Sequence, residues 1–310
     1  MSGWSDSKRG WLVRRGRGLP ELWVDRTQSA EVSRRLGESA KRGMNLGRLN
    51  DVLKRRTGEF APNRVLLESV DSTNNLALRL VRSFLDRESL PPKILVVALE
   101  QRSGRGRQGR RWVSPGGQGV YLSLVVASRG PDDLASLPLL VGVGLGQTIS
   151  EICSRSCQLK WPNDLLVDGR KVGGILIDCI SRGVVGTAAV IGIGVNYRQS
   201  HRVAEAGGVA MDEIALELPS FPAVLSELVV GVEQQMTHLG DMGYASRRFR
   251  EMSLHRPGDT VQYRTDEGLQ RARFSGLDER GFLVLQNDQG MIRLGAGEAI
   301  EEWKEDDHES

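Results

Sequence analysis

Residues 165–196 read LLVDGRKVGGILIDCISRGVVGTAAVIGIGVN, and how this stretch divides decides the fold. Three apolar runs, Leu165–Val167, Val172–Ile180 and Val184–Val195, are separated only by Gly169-Arg170 and by Ser181-Arg182-Gly183. Connections of that length suit hairpins, so the runs read as adjacent strands. Working outward, Ile94–Leu99 and Val120–Ala127 read as buried strands, the second rich in β-branched and aromatic residues, and Val65–Leu67 as a further β run. Between them Leu76, Leu80 and Phe84 fall on one side of a helix for which Ser72 is a candidate N-cap. Leu46, Leu49, Val52 and Leu53 are spaced for a helix, residues 133–154 read as another, and residues 220–251 as two more. The sum is an α+β domain: a mixed, largely antiparallel sheet flanked by helices. Residues 257–303 change character. Short strands are punctuated by Asp266-Glu267-Gly268, Asp278-Glu279-Arg280-Gly281 and Asn287-Asp288-Gln289-Gly290, the pattern of a small β-barrel.

A length of 310 residues fits about two domains, and 39% hydrophobic with 26% charged residues fits a globular chain. Forty-two basic against 39 acidic residues leave a net charge of +3, which argues against a constitutive nucleic-acid binder. Cys153, Cys157 and Cys179 make an odd count with no CxxC pair, so reduced thiols in a cytoplasmic setting are expected. His201, His238, His255 and His308 stand singly, without the spacing of a zinc site. The longest membrane candidate, Leu134–Val143, falls short of a span and contains Pro138. Lys8, Arg9, Arg14, Arg15 and Arg17 are followed by no apolar core, so residues 1–43 read as a basic, disordered extension rather than a secretory signal. Within them Ser29–Gly37 resembles only the first half of a helix-turn-helix. Seven acidic residues between Glu298 and Glu309 make the tail acidic.

The most distinctive chemistry lies in Glu100-Gln101-Arg102-Ser103-Gly104-Arg105-Gly106-Arg107-Gln108-Gly109-Arg110-Arg111-Trp112, with five arginines and three glycines in thirteen residues. Glycines let backbone N–H groups converge on an anion, and guanidinium forks match phosphate oxygens. The segment has no apolar face to bury, so ordering on ligand binding is expected. A solvated charged loop fits the same composition. Gly104–Gly109 also matches the dinucleotide fingerprint, but Pro115 and three glycines between Arg110 and Gly119 bar the helix that fingerprint requires. An RNA-binding Arg-Gly tract is disfavoured by the buried strands on both sides.

Lys160-Trp161-Pro162-Asn163-Asp164 follows a short strand. Pro162 stiffens the segment, so Lys160 projects from a fixed strand end as a point charge suited to a phosphate. Asn163 and Asp164 have the chemistry to hold Mg²⁺. An ordinary β-turn with a surface lysine reads the same way. Gly173-Gly174 and Gly192-Ile193-Gly194 place glycines inside strands, where backbone or ligand approaches closely.

Asp71-Ser72-Thr73-Asn74, the Glu100–Trp112 loop, Lys160–Asp164 with Lys171–Leu176, and Ile191–Asn196, taken in that order, resemble the biotin–protein ligase family over about residues 45–300. The resemblance implies a class II synthetase-like, lipoate-ligase-like catalytic domain at 44–254, an SH3-like barrel at 255–303 beginning near Pro257-Gly258-Asp259-Thr260-Val261, and an acidic tail at 304–310. It implies ATP and biotin as substrates with Mg²⁺, and as partner the biotin carboxyl carrier protein of a carboxylase. It also implies that biotin is held by Ser72, Thr73, Asn74, Gln101, Gly104, Arg105, Gly106, Arg107, Lys160, Gly174, Gly192 and Gly194. Catalytic roles fall to Lys160, Arg105 and Arg107. ATP falls to Arg105, Arg107, Arg110, Trp112, Asn163, Lys171 and Asn196, and the metal to Asp164. Bifunctional members carry a winged-helix repressor module that is not recognisable here, so DNA binding is not expected. Monomer and homodimer both remain open. A lipoate or octanoate ligase is the nearest alternative, and a nucleic-acid-binding module the alternative of another class.

Overall fold

The computed structural model describes residues 12–13, 46–58, 60, 63–265, 268–295 and 300–303. The basic extension, its Ser29–Gly37 fragment and the acidic tail lie outside the described residues, apart from Leu12–Val13. In chain order the elements are β1 (Leu12–Val13), α1 (Leu46–Arg56), β2 (Arg64–Val70), α2 (Thr73–Leu85), β3 (Ile94–Gln101), β4 (Gly119–Ser128), α3 (Leu137–Cys153), β5 (Cys157–Lys160), β6 (Asp164–Val167), β7 (Arg170–Arg182), β8 (Gly186–Asn196), α4 (His201–Glu205), α5 (Met211–Ile214), α6 (Phe221–Gln235), α7 (Met242–Met252), β9 (Thr260–Thr265), β10 (Gly268–Leu277), β11 (Leu283–Asn287), β12 (Gly290–Leu294) and β13 (Ile300–Trp303).

The first sheet has the order β1-β2-β3-β4-β8-β7-β6-β5. Only β2 and β3 run parallel, joined through α2; every other pair is antiparallel. A parallel pair needs a long crossover, which α2 supplies. The sheet is therefore mixed and largely antiparallel, as the short connections in residues 165–196 require.

Strand periodicity divides the interior into two cores. On β3, Ile94, Val96 and Ala98 pack with Leu76, Leu80 and Phe84 of α2. Leu95, Val97 and Leu99 face the opposite side, toward Leu140 of α3 and Leu228 of α6. Each fully buried aliphatic side chain contributes about 1.5–3 kcal/mol, so the alternation itself fixes which way every strand faces.

Two local expectations change, and two short helices were not expected. The helix expected over residues 133–154 starts at Leu137, after a 3₁₀ turn at Pro131–Leu134, with Pro138 in its first turn where no N–H is needed. The run expected from Val184 pairs only from Gly186, because Gly183–Val185 form a 3₁₀ turn between two positive-φ glycines. The short helices α4 and α5 carried no periodicity long enough to read.

The second sheet, order β12-β11-β10-β9-β13, is antiparallel throughout. It is the small C-terminal SH3-like barrel, and Phe274, Leu283 and Leu285 join the same core as α3 and α6. The segment leading into it lies along β5: Leu159 and Ser253 form a parallel bridge, and Leu254 N donates to Leu159 O at 2.9 Å.

His255, on this segment, is 1% exposed. Burial, and then the neighbouring Lys160 charge, depress its pKa to about 3. The unfolded imidazole titrates near 6.5, so between those values only the unfolded chain takes up the proton. This contribution to stability is whole above pH 6.5 and is lost as pH falls toward 3, at about 1.4 kcal/mol per pH unit. Urea unfolding at pH 7 and pH 5 should show the parent chain losing about 2 kcal/mol more than His255→Asn. Equal losses would contradict it.

Candidate active site

Along the face of the sheet covered by α2, the side chains change character toward one end of the strands. On β8 the residues facing α2 run Ala188, Val190, Gly192, Gly194, and on β4 their cross-strand partners run Ala127, Val125, Ser123, Tyr121. Apolar packing thus gives way to glycine and hydroxyl groups where α2 begins, and a cavity of about 310 Å³ opens there. Gly174 of β7 with Gly192 and Gly194 of β8 forms its floor. A Cβ at Gly192 would overlap the Asn74 amide, and one at Gly194 would stand 2.5 Å from the Trp112 ring.

One end of the cavity is neutral and polar. Ser72 occupies the N-cap position of α2 with extended backbone, but its hydroxyl makes no capping bond. The Gln101 amide oxygen accepts from Thr73 N at 2.8 Å and from the Thr73 hydroxyl at 3.2 Å, while its Nε2 donates to Ser114 Oγ at 2.9 Å. Ser123 Oγ lies 2.8 Å from Thr73 Oγ1 and 2.5 Å from Asn74 Oδ1. Asn74 Nδ2 donates to Leu176 O and to Asp178 Oδ2. These side chains are locked by one another, which keeps them from adapting to a ligand of the wrong shape.

The other end is cationic. Lys160, Lys171, Arg105, Arg107, Arg110 and Arg111 line the cavity against a single carboxylate, Asp164. Lys160 and Asn163 come from the tight turn joining β5 and β6, closed by Asn163 N donating to Lys160 O at 3.1 Å and anchored by Trp161, 2% exposed in the main core. Asn163 also ties to β7 through Ile175 and accepts from Arg107 at 2.9 Å. Burial lowers the pKa of Arg107, partly offset by Asp164 and deepened by Arg110. A guanidinium is cationic in proteins, and one that is half-buried, with part of its water lost, is best satisfied by an anion.

The Gly-Arg loop forms a hairpin. Backbone pairing replaces the missing apolar face: Gly106 N donates to Arg110 O at 2.8 Å, and Trp112 N to Gly104 O at 3.0 Å. Gln108 and Gly109 take positive φ at its tip. Arg105 straps the hairpin to the sheet and α2 through Asp178 and Asn75, each at 3.2 Å. Trp112 lies over Gly174 and Gly194 with its indole N–H buried and without a partner among the described residues.

Of the residues singled out from the sequence, Gly106 and Asn196 also reach the cavity. Gly104 does not line it; it packs behind, against Trp112 O and Ser114. The Asn196 amide is spent on Lys171 O and Val209 O, where it holds the wall beyond α4. Asp178, Ser123, Ser114 and Asn75 were missed. A lone carboxylate inside Ile175–Ile180 and a lone serine inside Val120–Ala127 were the available signals for two of them. Nothing local marks Ser114 or Asn75.

Asp164 does not fit a resident metal site. Lys171 Nζ lies 2.5 Å from its Oδ1, and no group of three acidic, histidine or cysteine side chains gathers among the described residues.

A sequence model of the biotin/lipoate A/B protein ligase family matches residues 66–196, which span the cavity floor, loop and lysine turn. A biotin–[acetyl-CoA-carboxylase] ligase of Paracoccus denitrificans is 29% identical over 243 residues, covering 76% of this chain and 99% of that protein. The bifunctional ligase/repressor BirA of Escherichia coli K12 is 28% identical over 247 residues, covering 76% of this chain and 72% of the relative. Among solved structures, the biotin protein ligase of Aquifex aeolicus in complex with biotin and ATP superposes with a TM-score of 0.62 at 24% identity, over 78% of this chain and 99% of that one. Over residues 66–196 the chain is similar to the biotin/lipoate A/B protein ligase family, and the fold and the ordered motifs agree with that match.

Proposed function

We propose that the chain is an ATP-dependent biotin–protein ligase. It joins biotin to AMP with release of pyrophosphate, then passes the biotinyl group to a lysine of a biotin carboxyl carrier protein. The observation that carries this reading is the polarity of the cavity: a locked, neutral hydrogen-bonding end built from Thr73, Asn74, Gln101 and Ser123, and a cationic end at Lys160, Arg107 and Lys171. Biotin has the matching ends, a neutral ureido ring and a carboxylate. The Paracoccus relative and the Aquifex complex support the same assignment by what they are named for.

In the first half-reaction a biotin carboxylate oxygen attacks the α-phosphorus of ATP, the bond to the β-phosphate oxygen breaks, and pyrophosphate leaves with that electron pair. The carboxylate is already ionised, so no general base is needed. The barrier lies in bringing two anions together and in the charge gathering on phosphorus. Lys160 and Arg107 oppose that charge from fixed positions, in a site where water is largely replaced. Mg²⁺ bound to the nucleotide phosphates would neutralise part of their charge beside Lys160 and Arg107. In the second half-reaction a carrier lysine attacks the biotinyl carbonyl and AMP departs; the Arg105-strapped hairpin screens the mixed anhydride from water.

A lipoate ligase would share the sheet and the lysine. Lipoate has no polar ring end, so it would leave the Thr73–Asn74–Gln101–Ser123 group facing apolar atoms. Sites built to hydrogen-bond a substrate reject analogues lacking the group by about 10⁴–10⁵-fold. ATP–pyrophosphate exchange should therefore depend on biotin, with lipoate at least about 10³-fold weaker in kcat/KM. Comparable exchange with the two acids would overturn the biotin assignment.

A further inference from the structure

We infer that His255 is a positioning residue for Lys160, through which the C-terminal barrel holds the reacting end of the cavity. The inference rests on the proposed role of Lys160. Three observations meet at this point. Lys160 is the last residue of β5, a four-residue strand at the edge of the first sheet, hydrogen-bonded in the sheet order only to β6. Its other edge is covered not by a strand but by residues 253–254, through the Leu159–Ser253 bridge and the Leu254 N to Leu159 O bond at 2.9 Å. The residue after that bond is His255, buried and within electrostatic reach of Lys160, and its ring meets the Phe274 ring of β10 at 5.6 Å between centroids, inclined by 47°.

The chain therefore runs from the lysine strand, through one backbone clamp and one buried ring, into the barrel core formed by Phe274, Leu283 and Leu285. A lysine side chain has four rotatable bonds, and a strand end held on one side alone leaves its base free to shift. Misplacement of a catalytic group by about 1 Å costs up to about 10²-fold in rate. The imidazole suits the task because it is planar, fills the space between strand and barrel, and is neutral there. A second cation at this place would oppose the Lys160 ammonium.

A merely structural His255 would lower stability, or loosen binding, without singling out the chemical step. A positioning residue lowers kcat through Lys160 and through nothing else. The experiment is a double-mutant cycle in the full chain, read by biotin-dependent ATP–pyrophosphate exchange and by calorimetric titration of biotin without ATP. His255→Ala should lower kcat by about 10–100-fold while KM for biotin and ATP, and biotin affinity, stay within about twofold. In a Lys160→Ala background the same substitution should add less than about twofold, because its effect has no lysine left to act through. Phe274→Leu, which alters the barrel side and touches neither Lys160 nor substrate, should reproduce a smaller kcat loss with unchanged KM; it carries the test if His255→Ala fails to fold. Losses that multiply across the cycle, or a rise in KM with kcat unchanged, overturn the positioning role. A fully active Lys160→Ala chain instead overturns the role of Lys160 on which the inference rests, and a parent chain without biotin-dependent exchange overturns the ligase reading, so the failures are distinct.

Discussion

Replacing Lys160 with alanine is expected to lower biotin-dependent ATP–pyrophosphate exchange by about 10²–10³-fold in kcat, equivalent to about 2.7–4 kcal/mol of transition-state stabilisation. The size follows from where the lysine sits. It projects from a turn whose backbone is closed by Asn163 and whose Trp161 ring is sunk in the core, so its ammonium is held in place before substrate arrives. Such a preorganised charge acts most strongly on charge that develops late, on the phosphorus, and less on ground-state binding. The loss should therefore appear chiefly in kcat, with the folded chain intact, because the side chain projects into a cavity rather than the core. An alanine variant that exchanges pyrophosphate at the parent rate would contradict the assignment.

Gly192→Ala is expected to weaken biotin binding by more than about 100-fold, about 2.7 kcal/mol. The added methyl would fall on the Asn74 side-chain amide. That amide has little freedom to yield: Ser123 holds its oxygen, and Leu176 O and Asp178 hold its nitrogen. Either the methyl displaces Asn74 and breaks the polar group that reads the neutral end of the ligand, or the strand shifts and the floor rises. Overpacking of this kind costs about 1–3 kcal/mol of stability as well. Gly194→Ala should be milder, since the atoms it meets belong to the Trp112 indole, whose N–H makes no hydrogen bond among the described residues, whereas the Asn74 amide is held at both ends. Calorimetric titration of both variants with biotin checks the order, and equal affinities for Gly192→Ala and the parent chain would contradict the floor assignment.

Most of the sheet was legible in the sequence because its signals are local. Residues 165–196 alternate apolar runs with turns too short for anything but hairpins, and Ile94–Leu99 carries apolar residues on both faces because a core lies on each. What could not be read has non-local causes. The strand order that sets β8 between β4 and β7 depends on pairings between distant segments. Helices α4 and α5 are four or five residues long and carry no period. The Gly-Arg hairpin owes its order to backbone pairing and to the Arg105–Asp178 strap, neither of which composition records.

The candidate site divides the same way. Lys160, Thr73, Asn74, Gln101 and the floor glycines carry chemistry in their identity and spacing, and the fold brings them to one cavity. Asp164 shows the limit. A carboxylate next to a phosphate-suited lysine reads as a metal ligand in one dimension, but in three it faces Lys171, seven residues away across the β6–β7 hairpin. His255 shows the converse. A single histidine in a linker carries no pattern, and only the clamp on β5 and the ring of Phe274 give it a place beside the lysine.

The central claim is that this cavity activates biotin with ATP. The most direct measurement is mass spectrometry of the products formed when the purified chain is incubated with biotin, ATP and magnesium in the absence of any carrier. Biotinyl-AMP and pyrophosphate are expected in equal amounts, the adenylate retained at about one per chain, with no adenylate formed when biotin is replaced by lipoate and far less with Lys160→Ala. Absence of the adenylate, or its formation with lipoate as readily as with biotin, would contradict it.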